Sequence, residues 1–234
     1  MKSFFILILV LVVFSAKSQS TSDVESSSKS KNTSISLFTG FSFVRNNQFK
    51  QSLEDNGLLV DIPPVNALMG LKANTINLYN YGILSVEIGA EGSSQAKNNS
   101  YTALRNINGV VEILFPILNE EKIKVFPTFG VEYAYSTFEY YQLDDATISF
   151  QDLLTTNYGG INLNRDYTFY ALFGVSLNYF FRENLGVSVF SRYRIPLDKN
   201  NAHWRVANTK SEVTNLDNYI SNYISSGAGI VFPF

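Results

Sequence analysis

The sequence predicts an all-β protein: an eight-stranded, antiparallel, up-and-down transmembrane β-barrel, preceded by a signal peptide. Three observations carry that prediction. Apolar side chains recur at every second position over eight segments, the connections between those segments alternate long and short, and six charged residues inside the segments fall on the less apolar parity.

The composition agrees. Of 234 residues, 45% are hydrophobic, 15% aromatic and only 16% charged, a balance that favours strands. The length suits one sizeable domain. A formal net charge of -2 with no basic cluster excludes the electrostatic footprint of a nucleic-acid partner. The absence of cysteine excludes disulfides, thiol catalysis, lipid attachment through cysteine and Cys-built metal sites. A single histidine argues against zinc, the loop acids lack calcium-loop spacing, and no Gly-rich phosphate loop is present, so neither metal nor cofactor is expected.

The chain opens Met1-Lys2-Ser3, continues with the apolar run FFILILVLVVF from Phe4 to Phe14, and then reads SAKSQ. This is the pattern of a secretory signal peptide over residues 1–18, cut after Ser18. The run falls short of the about 20 apolar residues that a spanning helix needs. Loss of Lys2 and Lys17 would take the net charge from -2 to -4. Residues 19–33, QSTSDVESSSKSKNT, hold almost nothing to offset the entropy of ordering and are expected to form a flexible Ser-rich leader. The barrel domain is expected over 34–234, and no later apolar run is long enough for a transmembrane helix.

The clearest strand is YTFYALFGVSLNYFF, Tyr167–Phe181, in which Tyr167, Phe169, Phe173, Val175, Leu177, Tyr179 and Phe181 share one parity. The same period predicts strands at Ser34–Val44, Asn66–Leu78, Gly82–Ser93, Arg105–Ile117, Ile123–Tyr141, Leu185–Leu197 and Leu216–Phe234. Long connections are expected at Arg45–Val65, Ser94–Leu104, Gln142–Asp166 and Asp198–Asn215. Short ones are expected at Tyr79–Tyr81, Leu118–Lys122 and Arg182–Asn184, carrying the turn residues NYG, NEEK and REN. This sorting places every tight turn at one end of the sheet. Pro116, Pro127, Pro196 and Pro233 lie near segment ends, where a missing ladder donor does least harm.

A barrel in lipid must turn its charges inward, since Lys or Arg on the lipid face costs about 2–4 kcal/mol at the midplane. Lys72, Glu87, Glu112, Glu132, Arg192 and Arg194 all oppose the apolar parity of their segments. Counted from the short turns they fall in one broad layer, and three acids with three bases sum to zero. Such a layer is either a plug of ion pairs or a gate built from re-pairing charges. Eight strands leave room only for side chains or one small ligand, which excludes a wide pore.

From Ser34 to Phe234 the chain resembles the small eight-stranded outer-membrane β-barrels of Gram-negative bacteria, the group of the outer-membrane protein A transmembrane domain. The resemblance rests on the signal peptide, the sorted connections, the inward charges and the terminal Phe234. It implies outer-membrane localisation among outer-membrane lipid, periplasmic turns and surface loops. It also implies that the C-terminal strand, with Phe232 and Phe234 on one parity, is the assembly signal for the barrel-assembly machinery during insertion.

Some members of that group are enzymes that remodel lipid with Ser, His and an acid near the outer rim. Here the sole histidine, His203, is followed eight and nine residues later by Ser211 and Glu212, a spacing that demonstrates no base within reach of a nucleophile. His203-Trp204-Arg205 is read instead as loop packing or a small contact surface. The third long connection holds the apolar stretch Ala146–Leu154, which would either extend a hairpin or face an extracellular partner. The expectation is a non-enzymatic barrel with a structural or surface-interaction role carried by its loops. The alternatives are a narrow charge-gated channel, a lipid-modifying enzyme and a soluble periplasmic ligand-binding barrel.

Overall fold

The computed structural model describes residues 33–44, 47–55, 57–58, 60–78, 82–97, 100–142, 160–197, 204–209, 211–213, 216 and 223–234. The predicted signal peptide, all of the predicted leader except Thr33, the stretch Ala146–Leu154 and His203 lie outside the described residues.

Among the described residues, ten strands and one helix follow in chain order. They are β1 (Ser34–Val44), α1 (Asn47–Asp55), β2 (Val65–Asn77), β3 (Ile83–Lys97), β4 (Ser100–Leu114), β5 (Leu118–Asn119), β6 (Ile123–Gln142), β7 (Ile161–Arg182), β8 (Leu185–Pro196), β9 (Trp204–Val206) and β10 (Tyr223–Pro233). Eight of them close a barrel in the order β1-β2-β3-β4-β6-β7-β8-β10, each antiparallel to its neighbours. Closure is made by β1 and β10, paired from Ser34↔Pro233 to Val44↔Tyr223. The amide of Phe234 donates to the Thr33 carbonyl at 3.1 Å, so the terminal aromatic is held in the seam.

The outer surface is apolar where a bilayer would meet it. Leu37, Met69, Val111, Phe129, Phe173, Val189 and Ile230 all point outward and are exposed, while their strand neighbours point into the lumen. A soluble barrel inverts this arrangement. β6 and β7 run for 20 and 22 residues, well beyond the 9–11 that span a bilayer, so they project past the apolar band at the end remote from the termini. Tyr133 and Tyr167 stack at 4.6 Å at its upper edge, and the exposed pair Arg105–Glu139, 3.0 Å apart, lies just above. Tyrosine at that boundary keeps its ring in hydrocarbon and its hydroxyl in water.

Several expectations are corrected. The connection Ser94–Leu104 is not a long loop: β3 and β4 stay paired up to Lys97↔Ser100, leaving a two-residue link in a tall hairpin. Ser94, Gln95, Lys97, Ser100 and Thr102 put polar side chains on both faces of its strands, so the period-two apolar signal stops although the ladder continues. β4 likewise begins at Ser100 instead of Arg105, and β7 at Ile161 instead of Tyr167, because Ile161 and Leu163 alternate with asparagines but turn inward, their parity inverted across a register shift below Arg165. β4 also ends at Leu114, short of the expected Ile117, because the register with β6 shifts around Pro116, which has no amide to give, although the Phe115 and Ile117 amides on either side still donate to Pro127 and Val125. Strand β10 is described only from Tyr223, and Leu216, expected to open it, packs against the upper core outside any strand. The first long connection contains a helix, α1, that strand periodicity did not predict.

The lumen is filled in layers. At the lower end, beside the tight turns, Ile83, Leu114 and Phe126 pack together. Higher up, the Phe38, Leu68 and Phe190 cluster occupies one wall. Across the upper mouth lies the largest apolar cluster, with Phe49 and Leu53 of α1, Val60 and Ile62 of the following strap, Phe138 of β6 and Trp204 of β9. Phe49 and Leu53 are one helical turn apart and so share the face that α1 turns inward. Phe49 stacks on Trp204 at 5.1 Å and meets Phe138 edge-on at 5.3 Å. The strap is tied outside by Asp61, which accepts from Lys97 Nζ at 2.7 Å. That hydrogen bond holds the Asp61 carboxyl below its ordinary value.

Candidate functional site

The charged layer is built by strand alternation. Lys72 on β2, Glu87 on β3, Glu112 on β4, Glu132 on β6 and Arg192 and Arg194 on β8 all face the lumen, and all six are buried. Each occupies the parity opposite an outward Leu, Val, Ile or Tyr, so the forces that set the lipid face also deliver the charges inward.

Two groups form within the layer. In the lower group Arg192 makes a bidentate contact to Glu87, Nη1 to Oε1 at 2.8 Å and Nη2 to Oε2 at 2.6 Å. Its Nη2 also reaches Glu112 Oε1 at 2.9 Å, and Lys72 Nζ meets the same oxygen at 2.5 Å. In the upper group Arg194 Nε lies 2.8 Å from Glu132 Oε2, and Arg194 Nη1 donates to Glu91 Oε2 at 2.9 Å and to the Tyr223 hydroxyl at 2.5 Å. The Tyr223 oxygen is 3.1 Å from Glu91 Oε1 and 3.3 Å from Glu132 Oε1. Asn106 and Asn108 donate to Glu91 and Glu132 at 2.8 and 3.2 Å. Both guanidiniums also lie over rings, Arg192 at 4.7 Å from Phe190 and Arg194 at 4.5 Å from Tyr223.

The structure therefore brings all six sequence-predicted charges together and adds two residues. Glu91 makes the layer four acids against three bases, which corrects the expected balance of three and three. Its signal was in the sequence, since it shares a parity with Glu87 four residues earlier. Tyr223 was legible only as an inward position on the closing strand. Further buried cations, Lys124 near the lower end and Arg165 near the upper cluster, lie outside the layer.

Every carboxylate of the layer is bonded to a cation, and Glu91 and Glu132 to an amide as well. Among the described residues no three His, Cys, Asp or Glu side chains converge as metal ligands. At the outer rim Glu212 lies 3.4 Å from Arg205, and the Ser211 amide donates to Thr209. Phe232 and Phe234 point outward at the lower edge of the apolar band.

The closed antiparallel sheet, its apolar exterior and its charge-lined interior define an eight-stranded β-barrel of the transmembrane type. No family model and no curated protein matches the chain. Among solved structures it is similar to a major outer membrane protein from Thermus thermophilus, at 12% identity and a TM-score of 0.48, covering 86% of this chain and 98% of that one. It is also similar to Ail, the attachment invasion locus protein of Yersinia pestis, at 10% identity and a TM-score of 0.43, covering 87% and 99%. The outer membrane protease OmpT from Escherichia coli matches at 13% identity and a TM-score of 0.42, covering 91% and 100%. Likeness at this level bears on architecture alone.

Proposed function

We propose that this chain is a closed, non-enzymatic outer-membrane barrel that works as a structural or surface-interaction element through its extracellular side. The observation that carries the proposal is the double closure of the lumen. The apolar cap formed by α1, the strap and Trp204 covers the upper mouth, and the ion-paired layer lies beneath it with Arg194 and Glu132 both 0% exposed. A barrel filled this way supplies rigidity, and the projecting hairpins β3–β4 and β6–β7 supply a surface above the membrane.

The test is planar-bilayer recording of the purified, refolded chain. The proposal expects no unitary conductance, either in the wild type or after Phe49→Ala loosens the cap. A conductance that changes on Arg192 or Glu132 substitution would replace it with the charge-gated channel. One observation favours that second reading: Glu112 Oε1 is shared between Lys72 and Arg192, the geometry from which two alternative pairings can be made. The lipid-modifying alternative makes a separate prediction, a lipid profile altered by His203→Ala; the proposal expects the profile to be unchanged.

A further inference from the structure

One stretch of the lipid-facing wall is unlike the rest. From Ala67 to Ala73 on β2, Leu84 to Ala90 on β3, Ile107 to Ile113 on β4, Val125 to Val131 on β6 and Phe169 to Leu177 on β7, no outward side chain carries a hydroxyl. The aliphatic hydroxyls of the middle of the band gather on the three remaining strands: Thr39 on β1, Ser226 on β10 and Ser191 on β8. Ser226 is the cross-strand partner of Ser191, and Ala228, next on the same face of β10, is the partner of Thr39. The patch lies deep in the band. Ser191 pairs with Val175, the midpoint of the outward run Phe169–Phe181, and Thr39 is the midpoint of Ile35–Phe43. It is also low: Thr39, Ser191, Ser226 and Ala228 are small and are bordered by the exposed Leu37, Phe41, Val189 and Ile230. On β6 and β7, by contrast, Phe129 and Phe173 face lipid with their rings 5.1 Å apart.

These hydroxyls are only partly satisfied by the barrel itself. Thr39 Oγ1 donates to the Leu68 carbonyl at 3.1 Å. Ser226 Oγ and Ser191 Oγ lie 3.0 Å apart and share one hydrogen bond, so one of their two protons is left over, and each oxygen keeps accepting capacity. An acyl chain offers neither donor nor acceptor, and the hydrocarbon core holds no water to replace them. We propose that the β8–β10–β1 wall is the contact face of a homodimer within the membrane, occupied by a second copy of this chain. A hydroxyl both donates and accepts, so a patch of hydroxyls is complementary to itself. A copy inserted in the same sense, related by a twofold axis along the membrane normal, brings its own hydroxyls to the same depth, which any other partner would have to match separately. Small side chains let the two walls come close enough for those bonds to form. The proposal rests on the outward face lying in lipid and not on a closed lumen; bilayer recording reads the lumen and a dimer assay reads the wall, so the two can fail separately.

The chain has no cysteine, so one introduced thiol reports one position. Ser226→Cys, purified and refolded in phosphatidylcholine vesicles at a low protein-to-lipid ratio, is expected to form a disulfide-linked dimer on oxidation. Val111→Cys, exposed on β4 across the barrel from β10, is expected to stay monomeric. Equal yields from the two would reduce the contact to chance collision and overturn the proposal. The cysteine-free chain is then compared by sedimentation equilibrium in micelles. Ser191→Ala with Ser226→Ala keeps the patch small, removes the hydroxyl pair from both copies and is expected to weaken the dimer about tenfold. A wild-type chain that sediments as a monomer, or a double variant that associates as tightly as the wild type, overturns the proposal. So does a Ser226→Cys cross-link to a different protein in native membranes by a chain that stays monomeric when purified.

Discussion

Arg192 is the most informative residue to replace, because its partners differ in what they keep when it is gone. Arg192→Met preserves length and much of the packing on Phe190 but removes three hydrogen bonds. Glu112 retains Lys72 at 2.5 Å. Glu87 loses both oxygens' contacts to Arg192 and is left in a lumen where it is 1% exposed. Removing one member of a buried pair costs about 3–5 kcal/mol, since the remaining charge must either stay desolvated or take up a proton.

Arg192→Met with Glu87→Gln removes both charges, leaves Lys72–Glu112 as a self-contained pair and is expected to recover at least about 2 kcal/mol of that loss. The assay is urea titration in lipid vesicles, with the heat-modifiable gel shift as the readout of the closed barrel. A single-variant loss under about 1 kcal/mol, or a double variant no more stable than the single one, would refute the claim that Arg192 and Glu87 stabilise each other as a desolvated pair.

Other predictions use different layers. Phe49→Ala opens the contact with Trp204, the sole tryptophan, and is expected to red-shift its emission and admit acrylamide, with a loss of about 3–5 kcal/mol if the cap unfolds with the barrel; unchanged fluorescence would count against the cap. Phe173→Arg puts a cation on the middle of the lipid face and is expected to cost about 2–4 kcal/mol in vesicles; no measurable loss would mean the outward face is not in lipid. Gly130→Ala would push a Cβ to 2.4 Å from the Val111 carbonyl oxygen and 2.6 Å from Glu112 Cβ, both fixed in the wall, so it should abolish the folded gel band, and a normal band would contradict the close packing of β4 and β6. The Asp61–Lys97 tie is present above the ordinary carboxyl value of 3.8 and is lost as the pH falls through the lower folded value, so NMR titration of Asp61 should give a midpoint under 3.8. A midpoint at or above 3.8 would remove the tie.

What was legible in the sequence follows from where lipid acts as a selector. Along Tyr167–Phe181 every second residue must satisfy hydrocarbon, so the period is strong and the strand is found. Above the band that selection ends. Ser94 to Lys97 remain in the ladder, but water meets one face and a mixed interior the other, and the residues no longer alternate; Ile161 to Arg165 still alternate, with the apolar parity turned inward across a register shift, so they do not continue the pattern of Tyr167–Phe181. The same loss of signal hid the cap. Phe49 and Leu53 are spaced for a helix, yet α1 has only nine residues, and only its landing on Phe138 and Trp204 from distant strands gives those two residues a core.

The site was legible in membership and not in pairing, and the reason lies in the charges themselves. Lys72 and Glu87 are direct cross-strand partners, so register alone would join them. The barrel does otherwise: Glu87 takes Arg192 from the far wall through two parallel hydrogen bonds, and Lys72 turns to Glu112 on the second strand along. A planar guanidinium matches both oxygens of a carboxylate, whereas an ammonium makes a point contact and has a long stem with which to find another partner. Which strand faces which across the lumen depends on tilt and stagger, quantities that no single segment encodes. The sequence can therefore place Arg192 in the layer, but its bidentate partner is chosen by closure of the barrel, and Lys72 pairs with the carboxylate that the choice leaves within reach.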